Sequence, residues 1–168
     1  MSQHQIYISL GSNIERQQNT RAGLGALNKV FGPLTLSSVY ESEAVGFAGS
    51  HFYNLVVSAY TGLSVEAVCR QLKEIEDLNG RIRGSKKFAP RTLDLDLLLY
   101  DDLVEFDTYE LPRGEILTNA FVLLPLAEIA PQALHPVTGQ SYQLLWDAYD
   151  KGKQKLWPIN FDWSPDSK

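Results

Sequence analysis

Residues 90–102 read PRTLDLDLLLYDD and place two acids inside an apolar run. In a strand, residues two apart point to the same face, so Asp94 and Asp96 project together. An ionised carboxylate taken out of water is strongly unfavourable unless a partner completes it. Two carboxylates on one face can share a divalent cation. Magnesium takes hard oxygen ligands, often one or two carboxylates supplemented by water and substrate phosphates. The acids can equally be ion-paired to nearby arginines or lie exposed at a strand end, and a bare D-x-D does not choose. The same alternation predicts Leu93, Leu95, Leu97 and Leu99 on one face, with Thr92, Asp94, Asp96 and Leu98 on the other.

The preceding residues shift the balance. RIRGSKKFAPR (81–91) carries Arg81, Arg83, Lys86, Lys87 and Arg91 and no acid. The whole chain has 15 basic and 20 acidic residues, net −5, so setting this +5 aside leaves −10 on the rest. Alone, a charge run is commonly a solvated face. Beside two carboxylates it reads as a polyphosphate clamp: cations for phosphate oxygens, acids for the magnesium bridging them. There is no G-x-x-x-x-G-K-[ST] and no G-x-G-x-x-G, which excludes the P-loop and Rossmann plans. LGSN (10–13) is as compatible with an ordinary strand-to-helix turn.

These residues need elements to hold them. QIYISLG alternates Ile6, Ile8 and Leu10 against Tyr7 and Ser9, the period of a half-buried strand. Asn13 is placed to cap a helix whose Leu24, Leu27 and Phe31 share a face before Gly32. PLTLSSVYES and FYNLVVSAYT predict two further strands, joined by the glycine-bearing loop EAVGFAGSH. Ser64 is a candidate N-cap for a second helix carrying Val65, Val68, Leu72 and Ile75, with Gly80 its expected stop. Cys69 sits on that helix as a small packing residue. The order strand, helix, strand, strand, helix, strand predicts an α+β fold with a ferredoxin-like βαββαβ core, helices packed on a mainly antiparallel sheet. LVEF (103–106) suggests a further short strand, and Pro125 the start of one short helix. The tail LWPINFDWSPDSK has no clear periodicity and is expected to pack back on the body. His4 reads as tail, His51 as loop and His135 as turn.

Bulk properties agree with one folded domain over 1–168, its core at about 5–150 and a C-terminal tail at 151–168. The chain is 44% hydrophobic and 21% charged, a globular composition. The acidic balance excludes a general nucleic-acid binder. A single cysteine, with no zinc-type spacing, predicts a reducing, cytoplasmic setting. The N-terminus lacks a basic start followed by an apolar stretch, so no signal peptide is expected. No apolar run approaches the roughly 20 residues of a membrane helix.

LGSN, Asn54 in FYNLVV, IEDLNGRIR, FAPRTLDLDLLLY and FVLLPLAEIAP occur in the order and approximate spacing of a known family. The chain resembles the 6-hydroxymethyl-7,8-dihydropterin pyrophosphokinases of folate biosynthesis over about residues 5–150, and P-R-T-L-D-L-D is highly specific to them. The resemblance implies a ferredoxin-like fold and transfer of the terminal pyrophosphate of ATP to the pterin hydroxymethyl group, leaving AMP. It implies two magnesium ions held between Asp94 and Asp96, with Arg81 and Arg91 facing the phosphates. Glu76, Arg83, Lys87, Leu97 and Arg113 fall at nucleotide positions. Ser42, Val45 and Asn54 fall at the pterin edge, and Phe88 and Phe121 supply aromatic faces. The partners expected are ATP and the pterin, bound by a monomer. The loops at 43–51 and 82–91 are expected to close over the site.

The chain also departs from that pattern. Arg113-Gly114 stands where many members carry His-Tyr, and Asn119 and Thr108 stand where basic residues occur. Gly84 and Phe88 replace Lys and Trp, and Glu43 replaces a common Pro. A paralogue that binds pterin or nucleotide in a regulatory or weakly catalytic role is the alternative these changes keep open. An RNA-binding domain of this fold class finds no support, since the strands lack an R-G-F-G-F-type aromatic signature.

Overall fold

The first strand, β1 (His4–Ser12), buries Ile6, Ile8 and Leu10. Alternating apolar residues need a second layer to cover them. In the computed structural model, which describes residues 3–42, 51–79, 93–152 and 154–164, two helices supply it. These are α1 (Arg16–Phe31) and α2 (Val65–Leu78). Leu24 and Leu27 of α1, and Val68, Leu72 and Ile75 of α2, pack with β1 into one core. Ser64 caps α2 by accepting the Ala67 N–H at 3.2 Å, as its position predicts. Asn13 does not cap α1. Glu15 occupies that place with φ of 40°, and no side chain bonds the helix start.

β2 (Thr35–Leu36), β3 (Val39–Ser42), β4 (Phe52–Thr61), β5 (Asp94–Tyr100) and β6 (Leu156–Ile159) complete the sheet. Their order is β5-β1-β4-β3-β6, with β2 also on β4, and the neighbouring strands pair antiparallel. The second face is covered by α4 (Ala120–Ile129) and α5 (Tyr142–Ala148), preceded by the single turn α3 (Glu115–Thr118). Val56, Leu98, Leu99, Leu123 and Leu126 form that second core.

Four local expectations are corrected. The leucine alternation in β5 breaks: Leu93, Leu95 and Leu97 face the first core, but Leu98 and Leu99 both join the second. One step along β1, from Ile8 to Tyr7, spans Leu97 to Leu99 on β5. Leu98 is therefore the extra residue of a β-bulge, and a bulge re-aims every side chain beyond it. The helix expected near Pro125 begins five residues earlier, with Pro125 inside it. Proline cannot donate to the Phe121 carbonyl; burial of Val122, Leu123 and Leu126 holds the helix together regardless. LVEF makes only an isolated bridge, Glu105 to Leu111. His4 lies in β1, stacked on Tyr100 and bonded to Asp101. The tail does pack back, and more specifically than expected: β6 pairs with β3, and Phe161 and Trp163 pack against the first core.

Candidate active site

Gly11 of β1 pairs with Asp94 on one side and Asn54 on the other, and Ser9 pairs with Asp96. Directly opposed residues share a face of the sheet, so these side chains converge on the face that α4 covers. A Cβ on Gly11 would lie 3.0 Å from Asn54 Oδ1. Glycine is what leaves the amide its place. Asn54, 9% exposed, donates from Nδ2 to Ser42 Oγ at 2.9 Å, and Ser42 is 3% exposed. The amide is thereby oriented before any ligand arrives.

Phe121 and Val122, in the first turn of α4, close the other side. The result is a cavity of about 190 Å³ lined by Gly11, Ser42, Phe52, Asn54 and Phe121, with both aspartates at its wall. Glu128, at the far end of α4, ties this helix to β3. It accepts the Ser38 N–H at 3.0 Å, the Ser38 hydroxyl at 2.7 Å and the Tyr40 phenol at 2.8 Å. Burial, reinforced by Glu128, pushes the Tyr40 phenol well above its ordinary pKa, so it remains a donor.

A second cavity, of about 290 Å³, opens beside the edge strand β5 and is lined by Cys69, Glu76, Leu97, Glu110 and Arg113. Asp96 lines it too and, among the described residues, is the one common to both cavities. Glu76 is 5% exposed, and its Oε2 accepts the Leu95 N–H at 2.8 Å. An outward N–H on an edge strand needs such a partner. This one fixes the peptide between the two aspartates. Burial pushes the Cys69 thiol up, which suits a packing residue rather than a nucleophile.

Arg113 stands on the wall of the second cavity. Its Nη2 lies 3.4 Å from Asp96 Oδ1 and its Nε donates to Glu115 Oε1 at 3.2 Å. Partial burial works against its charge, but Asp96, Glu115 and Glu110 outweigh it and raise its pKa above the ordinary arginine value.

The comparisons with known proteins decide what this arrangement belongs to. The profile of the 7,8-dihydro-6-hydroxymethylpterin-pyrophosphokinase (HPPK) family matches residues 7–131. The chain belongs to that family. It is 32% identical over 135 residues to the 2-amino-4-hydroxy-6-hydroxymethyldihydropteridine pyrophosphokinase of Aquifex aeolicus, covering 79% of this chain and 84% of the relative. It is 35% identical over 150 residues to the folic acid synthesis protein fol1 of Schizosaccharomyces pombe, covering 86% of this chain and only 20% of that longer protein. Its fold matches wild-type Plasmodium falciparum HPPK-DHPS at a TM-score of 0.69 and 15% identity, over 87% of this chain and 44% of that one.

Against the HPPK pattern, the structure brings Ser42, Asn54 and Phe121 to the first cavity and Glu76, Leu97 and Arg113 to the second, with Asp94 on the wall of the first and Asp96 on the wall of both. Val45, Arg81, Arg83, Lys87, Phe88 and Arg91 lie outside the described residues. So do the expected lid segments, except His51, whose Nδ1 lies 2.8 Å from Glu41. Asn119 is committed to structure: its Nδ2 donates to Glu115 at 3.1 Å and its Oδ1 accepts from Gln154 at 3.2 Å. Gly11, within LGSN, Phe52, within FYNLVV, and Glu115 line the first cavity, although the sequence assigned none of them a role there. Phe52 was findable, since it stands two residues before Asn54 on the same strand face.

Magnesium fits this donor set. Among the described residues no three His, Cys, Asp or Glu side chains group to hold a metal. Two carboxylates on one strand face suit a cation that completes its shell with water and phosphate oxygens.

Proposed function

We propose that this chain transfers the terminal pyrophosphate of ATP to the hydroxymethyl group of 6-hydroxymethyl-7,8-dihydropterin, releasing AMP, as a step of folate biosynthesis. The observation that carries the reading is the place of Asp96 on the wall of both cavities. A transfer between two substrates needs one charged centre within reach of each. We read the smaller cavity as the pterin pocket. It pairs an aromatic face, Phe121, with an oriented amide, Asn54, which suits a flat heterocycle with donors and acceptors on its edge. The wider, charged cavity at β5 we read as the nucleotide side, with Glu76, Leu97 and Arg113 at its wall. The order β1, α1, β3, β4, α2, β5 supports a ferredoxin-like core with residues 151–164 as its extension.

No protein nucleophile is needed. The pterin hydroxyl oxygen forms a bond to the β-phosphorus, the bond from that phosphorus to the α,β-bridging oxygen breaks, AMP leaves, and the hydroxyl proton passes to solvent. Asp94 and Asp96 would hold magnesium, as two ions, which when bound would supply charge neutralisation at the phosphate oxygens. The chain's own residues bind and orient. Asn54 and Phe121 fix the pterin, and the Glu76 bond to Leu95 holds the aspartate strand in register. Orienting two bound reactants is worth up to about 7–11 kcal/mol of the barrier. Chromatography of the protein incubated with ATP, magnesium and the pterin tests the reading. Equal, pterin-dependent amounts of AMP and pterin pyrophosphate are expected; pterin binding without AMP would turn the reading to a binding paralogue.

A further inference from the structure

Arg113 is held in an unusual way beside a carboxylate assigned to metal. Its backbone N–H donates to the Leu98 carbonyl at 3.0 Å, and Leu98 is the extra residue of the β5 bulge. The bulge frees that carbonyl from the ladder, so the main chain at Arg113 is pinned directly to the strand that carries Asp96. The side chain is held more loosely. Its contact with Asp96 is 3.4 Å, with the two side chains 32% and 27% exposed. Half-exposed pairs of this length are weak and exchange readily. A second berth already exists, because Nε is bonded to Glu115 and Glu110 lines the same cavity.

The geometry points to Arg113 as a built-in counter-cation that occupies Asp96 until a divalent metal arrives together with a polyphosphate, so that bare metal is kept out of the site. This rests on the reading of Asp94 and Asp96 as the metal pair. A guanidinium and a divalent ion against one carboxylate repel each other at this short range. Bare metal must therefore displace Arg113 and gains no compensating charge. A metal–nucleotide complex brings phosphate oxygens that receive the guanidinium as it turns from Asp96. The same residue then opposes metal alone and favours metal with nucleotide, which is a coupling between two ligands at one site.

Manganese, followed by the loss of its free-ion paramagnetic resonance signal, is the probe. Without nucleotide, Arg113→Met is expected to bind manganese at about tenfold lower concentration than the wild type, from removal of one like-charge neighbour. Arg113→Lys, which keeps the charge, is expected to remain as weak as the wild type. Adding Asp96→Asn to Arg113→Met is expected to abolish the gain. With the non-hydrolysable α,β-methylene analogue of ATP present, the wild type is expected to close most of the gap. Arg113→Gln replaces the Met variant if its melting curve shows it unfolded. Equal or weaker manganese binding by the neutral variants overturns the inference. A separate outcome tests the underlying reading: Asp96→Asn binding manganese with the analogue as tightly as wild type would remove the metal pair itself.

Discussion

The two cavities meet at Asp96 and are built by opposite means. In the cavity read as the pterin pocket, beside the acids Asp94, Asp96 and Glu115, Asn54 and Ser42 are neutral, buried and already bonded to each other. Its helix wall is fixed from behind by Glu128. On the side read as the nucleotide's, a cation joins the acids: Glu76, Glu110 and Arg113 face a larger space, and Arg113 is divided between Asp96 and Glu115. Neutral groups can be aligned permanently because alignment costs little once they are satisfied. Charged groups awaiting a polyanion must be neutralised provisionally, by one another. One half of the site is finished in advance and the other is balanced.

The largest effect is expected where the halves join. Asp96→Asn should fold as the wild type does and lose transfer by about a thousandfold or more, from loss of a ligand to the charge-neutralising metal; steady-state AMP formation measures it. A loss confined to the pterin KM would break the comparison, because it would make Asp96 a one-sided residue. Next, Asn54→Ala should raise the pterin KM by about 10- to 100-fold through loss of an oriented hydrogen-bonding amide. The ATP KM should move little. Comparable shifts in both constants would mean that the cavities are not separable.

Glu76→Ala sharpens the other half. It removes the acceptor for the Leu95 N–H in a buried place, which should cost roughly 1–3 kcal/mol of stability, read as a lowered melting temperature. If Glu76 served only the nucleotide, ATP affinity would fall and the melt would not move. The smallest effect lies outside both cavities. His135 is buried, and burial holds its pKa below the ordinary histidine value. Its Nδ1 accepts the Val137 and Thr138 N–H groups at 3.2 and 3.1 Å, so the folded state keeps the neutral ring. That contribution is fully present above the unfolded pKa of about 6.5 and is lost as pH falls through the lower folded value. Melting temperature should therefore drop on acidification, and His135→Asn should flatten the drop.

Much of the scaffold was legible because period and caps are local signals. Ile6, Ile8 and Leu10 announced β1, and Ser64 announced the start of α2. The placing of Asp94 and Asp96 could be read too, since they share a strand face whatever surrounds them. The bulge at Leu98 was not legible: nothing in LDLDLLLY marks which leucine is extra, and pairing with Ile8 and Tyr7 decides it. Helix α4 extended past its proline because burial on the sheet outweighs one missing hydrogen bond, a tertiary effect. The roles of Gly11 and Glu76 were likewise set by what crosses over to meet them, an amide from β4 and a peptide N–H from β5. The pairing of Arg113 with Asp96 joins residues 17 positions apart in a fold no local pattern specifies.

The central claim is that one charged centre passes a two-phosphate unit from one cavity to the other. ATP labelled with phosphorus-32 at the β-position tests it most directly. All transferred label is predicted in the pterin product, with unlabelled AMP formed in equal amount. Label remaining in ADP, with a singly phosphorylated pterin, would contradict it.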